Sequence, residues 1–79
     1  MTLASSAEAL FLSSLQPSDD PTSDEVSVAI RASVVAHGGL GGCVSAFARE
    51  YGDHPDTAIK RMRWSLDLVS NRWDAVAAA

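Results

Sequence analysis

The chain has 79 residues, one cysteine and a net charge of −4, from ten acids against six bases. That length holds one small domain, and a single cysteine excludes an internal disulfide. Apolar residues are 47% of the chain, more than a disordered segment carries, yet no apolar run approaches the roughly 18–20 residues that span a bilayer.

The first fifteen residues have no basic stretch and only a short apolar cluster, so they do not read as a secretory leader, and the expected place is the cytoplasm. Within them Leu3, Ala7, Leu10, Phe11 and Leu15 fall at helical spacing and predict a first helix over 3–15. Its serines lower the intrinsic propensity, so it must lean on tertiary contacts. Ser5 or Ser6 can cap a shorter version that starts at Ala7. Residues 16–21, with Pro17 and Pro21 around Ser18, Asp19 and Asp20, read as a stiff loop.

Thr22-Ser23-Asp24-Glu25 is a capping-box sequence and opens a second helix over 23–37. Val26, Ala29, Ile30, Ser33, Val34 and His37 form one face; Val28, Ala32 and Val35 form another. Arg31 is the one charge between Val26 and Ala36, so the expectation is a helix buried between its neighbours. Gly38-Gly39-Leu40-Gly41-Gly42 should end it as a flexible corner, with Leu40 tucked beneath. A phosphate-binding loop would need a strand before the glycines and a Gly-Lys-Ser/Thr ending, and neither is present. A short third helix follows over 43–51, with Val44, Phe47, Ala48 and Tyr51 inward and Gly52 as its stop.

The fourth helix, over 54–77, is the longest. Asp53 reads as its cap, with Pro55 and Asp56 in the first turn. Ile59, Met62, Leu66, Val69, Trp73 and Val76 alternate at three and four and lie along one seam. Trp64 and Leu68 add a second short row. Such a rod is about 36 Å long. The expected fold is therefore all-α, a small four-helix orthogonal bundle with a long C-terminal helix, in one helical domain over 1–79.

The seam has two readings. It is the core of its own bundle, or its distal half, with Trp73 and Val76, meets a second copy. A core this small supplies about 3–5 kcal/mol, which favours a partner chain. The third helix, its turn and the start of the fourth give a further pattern. Ala48, Gly52, Ile59 and Met62 resemble a helix-turn-helix, a likeness covering about a quarter of the chain. That resemblance implies Thr57, Lys60, Arg61 and Arg63 as nucleic-acid contacts. Against it stand Asp53 and Asp56 at the end that should meet phosphate, a turn one residue too long, and the acidic balance. The plainer reading of the bases is a solvated face paired with Asp56 and Asp67.

Cys43, His37 and His54 are too few for a structural metal and lack the third group that orients a nucleophile's base. His37 is expected to bond a carbonyl at a helix end, and Cys43 to be a small buried residue. No enzyme, cofactor or metal is expected. The leading expectation is a small protein-interaction or regulatory module, a homodimer through Ile59, Met62, Leu66, Val69, Trp73 and Val76. The runner-up is a DNA-binding regulator built on residues 43–64.

Overall fold

The computed structural model describes residues 1–78, and their side chains as far as Asn71. Four helices follow one another: α1 (Leu3–Phe11), α2 (Ser23–Ala36), α3 (Leu40–Asp53) and α4 (Pro55–Ala78), with a 3₁₀ turn at Pro17–Asp19. The fold is an all-α bundle, and α2 and α3 meet at 91°. Among the described residues no single helix is long and apolar enough to cross a membrane.

Local chemistry fixes most of the ends. Thr2, not Ser5 or Ser6, caps α1: Ser5 N–H donates to Thr2 Oγ1 at 3.1 Å and Thr2 N–H donates to Ser5 Oγ at 2.9 Å. The box at Thr22 forms as the sequence reads. Thr22 N–H donates to Glu25 Oε1 at 3.0 Å, and Glu25 N–H to Thr22 Oγ1 at 3.2 Å. At the end of α2, Gly39 N–H reaches Val34 O at 2.8 Å and Gly38 N–H reaches Val35 O at 3.2 Å. Those two bonds are a Schellman stop, and Gly38 takes the positive φ of 73° it requires.

Three boundaries differ from the sequence reading. First, α1 ends at Phe11 and not at 15. Pro17 has no N–H for Ser13 O, and the Ser13 hydroxyl caps Leu10 O at 2.6 Å. Second, the glycine corner is shorter than five residues. Gly41 and Gly42 lie inside α3, and Leu40 is its exposed first residue. Third, Gly52 does not stop α3, which runs through Asp53, so Asp53 caps nothing. Pro55 makes the break. It forces His54 out of helical geometry (φ −138°, ψ 66°) and occupies the first position of α4.

The core also centres elsewhere. Ser6, Ala7, Ala9, Leu10 and Phe11 of α1 are all buried, whereas α2 buries only Val26, Ile30 and Ser33. The second helix is therefore not the enclosed one: Val28 is 60% exposed and Val35 81%. Small side chains explain the exchange. Ala7, Ala9 and Ser6 let neighbouring backbones close on α1, and Ser65 Oγ of α4 donates to Ala7 O at 2.6 Å. Phe47 of α3 meets Phe11 edge-on at 5.0 Å between ring centres.

Two glycines one residue apart should respond oppositely to alanine. A Cβ at Gly42 would collide with the His37 carbonyl, and one at Gly41 meets nothing within 4 Å. Gly42→Ala should lower stability by about 1–3 kcal/mol and Gly41→Ala should raise it by about 0.5–1 kcal/mol, read by urea unfolding. A second expectation concerns pH. The Thr22 backbone and hydroxyl bonds hold the Glu25 carboxyl below the usual range. A carboxyl held low in the folded chain adds stability above its unfolded pKa and loses it as pH falls through the folded value. The melting temperature should therefore fall between roughly pH 5 and pH 3, and less steeply in Glu25→Gln.

Candidate interaction surface

α1 leaves its helix with no glycine, so its last carbonyls have no left-handed turn to receive them. A side chain 46–50 residues away donates to the last of them, Phe11 O, and to two carbonyls of the segment that follows. Arg61 Nε–H donates to Phe11 O at 2.7 Å, and Nη2 donates to Ser13 O at 3.0 Å and to Leu15 O at 2.8 Å. The guanidinium also lies over the Trp64 ring at 4.8 Å and the Phe11 ring at 5.8 Å. Burial pushes its pKa down, yet an arginine remains charged at any working pH.

This placement separates the four basic-face residues named from the sequence. Thr57, Lys60 and Arg63 are exposed, while Arg61 is half-buried and holds its own chain. A helix-turn-helix would use Ala48 as the small contact between its helices, but Ala48 is exposed and a single residue, His54, separates α3 from α4. The turn is thus shorter than the motif's, not longer.

The apolar seam is also divided. α4 is one continuous helix. Val69 is fully buried, Met62 and Leu66 are half-buried against the core, and Ile59 is 38% exposed. The fully enclosed row is Ala58, Ser65 and Val69. At 100° per residue, that row is turned about 50° from the middle of the seam. Small Ala58 and polar Ser65 are the positions that α1 approaches, and a search for large apolar residues passes over both. The Trp73 and Val76 side chains lie outside the described residues.

Trp64 is half-buried beside Arg61, and Tyr51, expected inward on α3, is exposed. Val44, expected inward on α3, is exposed as well. His37 Nδ1 lies 2.8 Å from Ser33 O and donates to it, as expected for a histidine at a helix end. Cys43 is buried with its Sγ 4.0 Å from the same carbonyl. Burial first, and then the nearby Glu8 charge, pushes the thiol's pKa up, which makes it a poor nucleophile. Two buried oxygens in this region, Glu8 Oε2 and Ser33 Oγ, have no hydrogen-bond partner among the described residues. Among the described residues no group of three or more His, Cys, Asp or Glu side chains could hold a metal.

One surface feature was missed in sequence. Two adjoining clefts of about 210 and 400 Å³ share Ser14, Ala29 and Ala32 as walls and together follow α2. Residues 12–15 form one bank, with Leu12 and Leu15. Ala29, Ala32 and Ala36 of α2 form the floor, with Asp24 and Glu25 at one end and His37 at the other. Between residues 24 and 37 the groove is about 20 Å long at ~1.5 Å per residue. The sequence signal was the row Val28, Ala32 and Val35, which read as a second buried face.

No known protein family, curated protein or solved structure matches the chain.

The Arg61 contact is open to direct test. Arg61→Ala leaves three carbonyls without their charged donor and should cost about 2–3 kcal/mol, or roughly 10 °C or more in melting temperature. Arg61→Lys keeps the charge but not the fork, and should recover less than half of the loss. Thermal unfolding by circular dichroism checks both.

Proposed function

We propose that the chain is a protein-interaction module that self-associates through the distal part of α4. One observation carries the reading. Ser65 bonds to Ala7 and Arg61 to Phe11, so α1 and α4 run antiparallel with paired residue numbers summing to 72. In that register Leu3, the first residue of α1, stands opposite Val69, and α1 does not lie along positions 70–78. α4 nevertheless continues to Ala78. The stretch beyond the reach of α1 holds Trp73 and Val76, the last two residues of the seam. Interfaces concentrate their affinity in a few aromatic anchors of this kind.

The proximal half of the seam is a weaker candidate. Val69 is enclosed within one chain and cannot also meet a partner, and only Ile59 of that half is well exposed. A homodimer built here draws on Trp73 and Val76, with Ile59 at most on its rim.

The runner-up, DNA binding through Thr57, Lys60 and Arg63, has their exposure in its favour. Two outward bases on a chain of net charge −4 give a small electrostatic footprint. Sedimentation equilibrium between about 1 and 100 µM should return a dimer mass. A monomer throughout that range, together with salt-dependent retardation of mixed DNA that Lys60→Glu and Arg63→Glu abolish, would reverse the order of the two readings.

A further inference from the structure

We infer that the groove along α2 is the seat for the last turns of α4, residues 72–78, from a second copy of the chain. The inference rests on the self-association proposed above and names the surface that receives it.

The groove needs an occupant that is narrow, apolar and basic at one end. Its floor of Ala29, Ala32 and Ala36 has no side chain beyond a methyl, so a helix can approach closely. Its banks carry Leu12, Leu15 and Val28. Asp24 and Glu25 make one mouth acidic. Residues 72–78 match each demand. At 100° per residue Arg72, Trp73 and Val76 fall within about 100° of one another, on one face of the helix. Arg72 gives that face a charge opposite to the mouth's, and Asp74 falls on the opposite face. The remaining three residues are alanine, small enough to lie on an alanine floor. The segment is about 10 Å long, shorter than the 20 Å groove.

Geometry favours another molecule's segment over the chain's own. α4 is unbroken from Pro55 to Ala78, so its end cannot turn back onto α2 of the same chain. Leu68 and Asn71 lie beside Pro21, Ser23 and Val26. The point where α4 leaves the bundle and the acidic mouth of the groove therefore share one corner of the molecule. A two-fold axis at that corner lets each copy place its α4 end in the other's groove and closes the contact at two molecules.

The test uses the full-length chain and sedimentation equilibrium, with helicity checked by circular dichroism. Trp73→Ala should weaken the dimer at least about thirtyfold. Ala32→Trp, which fills the groove from an exposed position, should do the same without loss of helicity. Arg72→Glu should weaken the dimer about fivefold to tenfold, and Asp24→Lys added to it should restore most of that loss. A dimer that tolerates Ala32→Trp, and whose Arg72→Glu defect Asp24→Lys leaves unrepaired, overturns the groove assignment while leaving self-association intact. A wild-type chain that stays monomeric at about 100 µM overturns both.

Discussion

The whole arrangement depends on one cation closing the open end of one short helix. α1 stops at Phe11 without a glycine, and the carbonyls of Phe11, Ser13 and Leu15 converge on the Arg61 fork. Carbonyls turned away from water need donors, and a planar guanidinium offers several in fixed directions. The same three bonds tie residues 11–15 to residue 61, so they set the register in which α1 lies along α4. From that register follow the burial of Ser65 against Ala7, the edge-on packing of Phe47 on Phe11, and the length of α4 that α1 does not cover.

Apolar density and small side chains together decide which helix is enclosed. Six of the nine residues of α1 are apolar, and Ser6, Ala7 and Ala9 let three helices crowd around it. α2 is longer and more polar, and stands at the margin with Val28 and Val35 in water. Its inner face is needed by the core; its outer face has no use inside one molecule. An exposed valine row beside an alanine-floored groove is the surface on which the proposed self-association draws.

Much of the architecture was legible in the sequence. The helical class, four helices in order, the Thr22 box, the glycine stop after α2 and the long last helix all follow from local rules that need only neighbouring residues. Errors arose where a distant residue decides. Nothing near residue 15 announces that Arg61 draws its carbonyl away from a helix. The break before Pro55 is the exception, because it follows a local rule: the residue before a proline avoids helical geometry, which marks His54 and not Gly52. The row of large apolar residues lies about 50° from the enclosed row, because small Ala58 and polar Ser65 belong to the latter. The basic cluster was read as a unit; its middle member serves the core, and its flanking members stay outside. The groove was invisible because one bank is a loop, and periodicity says nothing about where a loop lies.

The claim that Arg61 holds α1 to α4 is tested most directly by solvent exchange of its own Nε proton, followed by NMR on the folded chain. Expected is a slowly exchanging proton, with a coupling across the hydrogen bond to the Phe11 carbonyl carbon and protection lost only when the whole chain unfolds. A proton that exchanges as fast as that of a free arginine, in a chain whose helices stay protected, would contradict the account.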